Sequence, residues 1–168
     1  PPLDGLMVLD FTRVIAGPYM TQMLGDLGAD VIKIESPGVG DDFRHYKPKD
    51  WSGPDAPGFP GLNRNKLSIE IDHASAAGKS VCRDLAEQAD ILVENFRPGV
   101  MDRQGLGYET LSTLNPRLIY CSISGYGHSS PFKHVAGYDP VAQAETGMMY
   151  LTGHPDTDPQ KAGASRSE

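Results

Sequence analysis

Leu6-Met7-Val8-Leu9-Asp10 is a short apolar run with a glycine before it and an acid at its end, which reads as a buried strand. Working outward, Phe11 to Pro18 is a loop. Tyr19 to Leu27 then places Met20, Met23, Leu24 and Leu27 at helical spacing, and Gly28 stops the helix. Val31-Ile32-Lys33-Ile34 is the second strand. Strand, helix and strand in this order predict a parallel pair joined by a right-handed crossover. The rest of the chain repeats the alternation. Leu67 to Asp72 alternates apolar and polar residues and reads as a strand with one wetter face, near a sheet edge. Ser75 to Ala89 is helical, with Ser75 as the N-cap. Ile91-Leu92-Val93 is a fully buried strand. Pro98 to Gln104 and Tyr108 to Leu114 are short helices. Leu118 to Ile123 is the fifth strand, and Asp139 to Leu151 is a helix closed by Gly153. The predicted fold class is α/β: a doubly wound, mostly parallel, Rossmann-like sheet with flanking helices.

Between Ser36 and Asn65 periodicity is lost among prolines and glycines. A long loop in a compact domain is often functional. It reads equally well as an excursion packed on a partner subunit. His154 to Glu168 is polar and shows no clear element.

The bounds agree with a globular domain. The chain has 168 residues, 39% hydrophobic and 22% charged, enough apolar material for a core. A net charge of -7 argues against nucleic acid as a partner. Cys82 and Cys121 read as buried thiols in a reducing compartment. No apolar run reaches the ~18 residues of a membrane span, and no signal-peptide pattern opens the chain. A cytoplasmic or organelle-matrix location is expected. The five histidines have no metal-ligand spacing, so no metal is expected.

In open parallel sheets ligands collect beyond the carboxyl ends of the strands. The segments there are Phe11 to Pro18, Glu35 to Asp42, His73-Ala74, Glu94 to Gly99 and Gly125 to Asp139. The first has no glycine triplet, since Arg13 and Pro18 stand where a dinucleotide fingerprint needs glycine. No phosphate-cradling GxxxxGK[ST] loop occurs. Nicotinamide and ordinary ATP chemistry are therefore disfavoured. Asp139 is a carboxylate at the start of a helix, where backbone N–H groups and the macrodipole favour its anion. On pattern alone it reads first as a helix cap.

The set of motifs resembles the N-terminal part of the family III CoA-transferases, the CaiB/BaiF family. It comprises Leu3-Asp4-Gly5, Val8-Leu9-Asp10, Ala16-Gly17-Pro18, Leu24 to Glu35, Gly40-Asp41, Asn63-Arg64-Asn65-Lys66, Val93 to Gly99, Gly125-Tyr126-Gly127 and Gly137-Tyr138-Asp139. The resemblance runs in order along nearly the whole chain, ending near Gly163-Ala164. It implies that residues 1–168 are the N-terminal part of a large Rossmann-like domain, with the small domain and C-terminal part absent. It also implies coenzyme A moved from an acyl-CoA to a small carboxylic acid, in an interlocked homodimer of longer chains.

The resemblance carries Asp139 over as the nucleophile. Attack on the thioester would give a mixed anhydride, then an aspartyl-CoA thioester, then transfer to the acceptor acid. A glycine-rich loop of the family, suited to stabilising the oxyanion, lies outside the match. The cofactor-binding positions it implies are Ile15, Ala16, Ile71, Asn95, Phe96, Arg97 and Arg103, with Tyr126 lining the thioester channel. Arginine forks suit phosphate oxygens, although either arginine alone also reads as a solvated charge. Two positions depart from the family pattern: Ser36 replaces an arginine and Ala74, beside His73, replaces a lysine. Arg44 and Lys66 are the candidate substitutes.

Two rivals remain. A 2-methylacyl-CoA racemase of the same family has a histidine before the aspartate. Here Tyr138 precedes it, and a phenol with a pKa near 10 suits proton exchange poorly. The other rival is a non-catalytic, truncated or partner-dependent CoA-binding chain.

Overall fold

The computed structural model describes residues 1–163. Within them the chain forms two compact units, Pro1–Ile123 and the part beginning at Ser124. The first holds all five strands: β1 (Met7–Asp10), β2 (Asp30–Glu35), β3 (Lys66–Glu70), β4 (Ile91–Glu94) and β5 (Ile119–Ser122). Their order is β3-β2-β1-β4-β5, and every pairing is parallel. Val8 pairs with Val31 on one side and with Ile91 on the other, so the direction of winding reverses between β1 and β4. Such a reversal opens the crevice where doubly wound sheets bind ligands.

Alternation along the strands divides the core between two faces. Leu9, Ile34 and Leu92 point into one cluster, completed by Cys82 and Ala86 of α3 (Ala76–Gln88) and Leu111 of α5 (Tyr108–Leu114). Val8, Val31 and Val93 point into the other, against Met20 and Leu24 of α1 (Ala16–Asp26). Fully burying a side chain such as Leu92 contributes about 1.5–3 kcal/mol. Burial pushes the Cys82 thiol up to about 11, which keeps it protonated and inert.

Several expectations shift in detail. α1 begins at Ala16 rather than Tyr19, because Pro18 sits in the first turn, where its missing N–H costs nothing. β3 lies at the sheet edge as expected, yet both its apolar residues, Leu67 and Ile69, are exposed. Ser75 caps α3 by accepting from the Gly78 N–H at 3.0 Å. Helix α4 is confined to Val100–Arg103, entered through Gly99 at φ 83°. The excursion from Ser36 is not structureless. It contains a 3-10 turn at Asp42–His45 and a short helix, α2 (Phe59–Asn63).

The second unit carries α6 (Asp139–Glu145) and α7 (Met148–Leu151). These replace the single helix expected over Asp139–Leu151. The break falls at Gly147, whose φ of 77° belongs to the left-handed region that ends helices. No helix among the described residues is long and apolar enough to cross a membrane.

Candidate active site: a pinned turn and a helix-start carboxylate

The turn after β1 lies at the winding reversal and is held at every residue. Asp10 is fully buried, and its Oδ1 accepts from the Thr12 N–H (2.9 Å) and hydroxyl (2.5 Å). Its Oδ2 accepts from the Thr21 hydroxyl (2.6 Å) and pairs with the Lys66 ammonium (3.0 Å). Lys66 also donates to Pro18 O and Asn63 Oδ1. Burial alone would raise the Asp10 pKa. Lys33, Lys66 and the two hydroxyls more than offset it and hold the carboxyl below its ordinary value. Burial pushes the Lys66 ammonium the other way, downward, against the opposing pull of Asp10.

Lys33, also buried, donates to Thr12 O (2.8 Å) and lies 2.9 Å from Asp41 Oδ2. Asp41 Oδ1 accepts from the Val14 N–H (2.9 Å) and the Phe43 N–H (2.9 Å). Between these anchors the Asn95 amide grips Arg13 from both sides. Its Oδ1 accepts from Arg13 N and its Nδ2 donates to Arg13 O, each at 2.8 Å. Val14, a β-branched residue, is forced to φ 69°, a strained conformation for its type. Gly17 is required here, because a Cβ would overlap the Thr12 side chain.

The expected nucleotide-binding residues are distributed around this turn. Ile15 is half-buried and Ala16 exposed, at the entry to α1. Asn95 acts on the turn itself. Phe96 lies under the Arg13 guanidinium at 5.0 Å and beside His73 at 5.6 Å. Arg97 and Arg103 are both exposed; unlike Arg13, Arg44 and Arg64, neither joins an ion pair among the described residues. Ile71 is buried in the core cluster.

Sequence reasoning missed the internal charges. Arg44 and Lys66, the candidate substitutes for the arginine and lysine that Ser36 and Ala74 replace, are each paired with a buried acid. The Arg44 guanidinium forks onto Glu35 (2.6 and 2.8 Å), pairs with Asp55 (3.0 Å) and stacks over Phe59 at 3.9 Å. Glu35 also accepts from Ser68 Oγ (2.6 Å) and Asp41 N (2.8 Å). Burial would raise the Glu35 pKa, but these donors bring it down to about 2. A polar cavity of about 340 Å³ lies beside this pair, lined by Gly38, Val39, Gly40, Ser68 and Glu70 as well. The signal available was a charged residue within or closing an otherwise apolar strand, as at Asp10, Lys33 and Glu35; Lys66, in the mixed strand β3, gave none.

Asp139 and Tyr126 belong to the second unit. Asp139 is the first residue of α6; the cap is Tyr138, with no side-chain hydrogen bond. The expected N-cap is thus displaced by one residue, because Pro140 fits the first turn and Tyr138 holds the extended backbone of a cap. Asp139 is half-buried, and its Oδ2 accepts from Gln143 Nε2 at 2.8 Å. Gln143 Oε1 in turn accepts from Ala162 N at 2.9 Å. The Tyr126 hydroxyl donates to Glu145 at 2.8 Å, and this bond raises its pKa. Gly125 and Gly137 meet backbone to backbone, where a Cβ on either would overlap the other. That contact closes the loop between them. Among the described residues no group of three or more His, Cys, Asp or Glu could hold a metal ion.

The strand order and the all-parallel pairing define a Rossmann-like α/β protein. The sequence profile of CoA-transferase family III matches residues 3–167, and the chain belongs to that family. Formyl-CoA:oxalate CoA-transferase of Escherichia coli is 49% identical over 98% of this chain and 39% of its own length. Succinyl-CoA:glutarate CoA-transferase of Homo sapiens is 44% identical over 99% of this chain and 38% of its own. The crystal structure of a CAIB/BAIF family protein from Brucella suis superposes with a TM-score of 0.90 at 49% identity, over 96% of this chain and 43% of that one. The chain spans about two fifths of the length of these relatives.

Proposed function

We propose that this chain is the N-terminal part of an enzyme that moves coenzyme A from an acyl-CoA to a small carboxylic acid. The observation that carries the reading is the 44–49% identity, over nearly the whole chain, to proteins named for that reaction. The two acceptors in those names, oxalate and glutarate, favour a short dicarboxylate as acceptor. CoA would sit on the turn after β1, with Ile15 and Ala16 offering backbone and Phe96 a ring. Arg97 and Arg103 would face its phosphates, a role that suits guanidinium groups outside any ion pair among the described residues. The exposed apolar side chains Leu67, Tyr150 and Leu151 favour a longer protein that covers them, as an interlocked homodimer would.

Asp139 is the proposed nucleophile. Its place in the first turn of α6 favours the anion. Attack by a carboxylate oxygen on the thioester carbonyl forms a mixed anhydride and expels CoA thiolate. The thiolate returns to the Asp139 carbonyl of the anhydride, expelling the donor acid as its carboxylate and leaving an aspartyl-CoA thioester. The acceptor carboxylate then displaces the thiolate to form a second anhydride, and thiolate attack on its acceptor carbonyl gives the new acyl-CoA and frees Asp139. A specific observation favours a second reading, in which Asp139 is a fixed structural carboxylate and another acid carries the acyl group. One of its oxygens is tied to Gln143, which is itself tied to Ala162.

Incubating the full-length protein with acyl-CoA and hydroxylamine, then locating the hydroxamate by mass, decides between them. Modification of Asp139, lost in Asp139→Asn, supports the nucleophile; modification of another carboxylate assigns Asp139 to the second reading. Rapid α-proton exchange of a 2-methylacyl-CoA in heavy water, without acceptor acid, would replace transfer with racemisation.

A further inference from the structure

We propose that Asp41 is a positioning residue for CoA: it holds Val14 in the left-handed conformation and so aims the backbone of Ile15 and Ala16 into the crevice between β1 and β4. The inference rests on the proposed CoA-transferase reading.

The geometry is specific. Asp41 lies in the excursion beyond β2, remote in sequence from the turn, yet its Oδ1 accepts from the Val14 N–H at 2.9 Å. The same oxygen takes the Phe43 N–H, so the carboxylate also caps the 3-10 turn and is itself fixed. Its other oxygen meets the buried Lys33 ammonium at 2.9 Å. Lys33 donates in turn to Thr12 O, two residues before Val14. One buried ion pair therefore grips the turn at Thr12 and at Val14, while Asn95 grips Arg13 between them.

A valine at φ 69° does not persist unless its surroundings impose it. Ile15, the next residue, has φ -124° and ψ -57°, and the helix begins at Ala16. Released from Asp41, Val14 would return to an ordinary extended or helical conformation. The peptide planes of Ile15 and Ala16 would then rotate. Asp41 touches no ligand in this scheme and acts only through the backbone of Val14.

A purely structural role for Asp41, as anchor of the excursion, predicts something different, and a double-mutant cycle separates the two. Glycine adopts positive φ without strain, so Val14→Gly removes the need for Asp41 to impose that conformation. The measurement is CoA affinity of the full-length enzyme by calorimetry, with KM for the acyl-CoA and for the acceptor acid in parallel. Asp41→Ala, which removes the acceptor of the Val14 N–H, is expected to weaken CoA binding about tenfold in the parent and less than threefold in the Val14→Gly background. KM for the acceptor acid should stay within twofold throughout. An equal loss in both backgrounds overturns the proposal and leaves Asp41 as an anchor of the excursion. A parent enzyme that binds no CoA fails the functional reading itself, an outcome distinct from equal losses in an enzyme that binds.

Discussion

Two of the loops that lead into helices, those before α1 and α6, are built differently. The turn from Phe11 to Ile15 is fixed by buried charge: Asp10, Lys33 and Asp41 hold its backbone, Lys66 pairs with Asp10, and Asn95 holds Arg13 from both sides. The loop from Gly125 to Gly137 is fixed by a backbone contact between its end glycines. Its flank is held by an exposed bond from Tyr126 to Glu145. The first loop is over-determined and can store strain, as Val14 shows. The second leads to a half-buried carboxylate whose side-chain donor among the described residues is Gln143.

The contrast breaks most visibly if the buried charges are removed one at a time. Lys66→Met leaves the fully buried Asp10 short of a partner, and losing one member of a buried pair costs about 3–5 kcal/mol. Denaturant unfolding of the full-length protein should show that loss. A change under about 1 kcal/mol would mean that the charges around the first loop do not hold it.

Acid titration sharpens the contrast at intermediate size. The Glu35 carboxyl is depressed from 4.5 to about 2, so its contribution is complete above the unfolded value. It is lost as pH falls from about 4.5 toward about 2. Asp10, also depressed, acts in the same direction. Thermal unfolding against pH should therefore fall steeply over that window. Arg44→Met, which removes the forked partner of Glu35, should flatten it; an unchanged acid limb would show that Glu35 does not supply the dependence.

The smallest effect belongs to the second loop. Glu145→Gln removes the cause that raises the Tyr126 pKa. The phenolate titration of Tyr126 should move back toward the ordinary range, with the melting temperature unchanged. A large drop in melting temperature would show that this loop is held as firmly as the first.

Much of the fold was legible in the residues. The strands announced themselves as short apolar runs, because a parallel sheet covered on both faces needs apolar side chains pointing both ways. Ser75 and Gly28 marked their helix ends for reasons local to the chain. The turn chemistry was less visible. Lys33 and Lys66 sit in strands and are buried only because acids distant in sequence meet them, which no local pattern encodes. The 3-10 turn and α2 escaped notice because ion pairing by Arg44 and stacking on Phe59, rather than periodicity, organise the excursion. Asp139 was correctly placed at a helix start, although the cap is Tyr138. The family was readable from the ordered set of motifs, whereas the strain at Val14 was not, since valine gives no sign of positive φ.

The fork of Arg44 on Glu35 has a further consequence. In dinucleotide enzymes of this architecture, an acid near the end of the second strand receives the ribose hydroxyls. Here that acid already accepts from Arg44, Ser68 and the Asp41 N–H, so a ribose hydroxyl would find both carboxylate oxygens engaged by the protein's own chain. Freeing them would take more than trimming Arg44, because Asp41 and the excursion bound to it would have to withdraw as well.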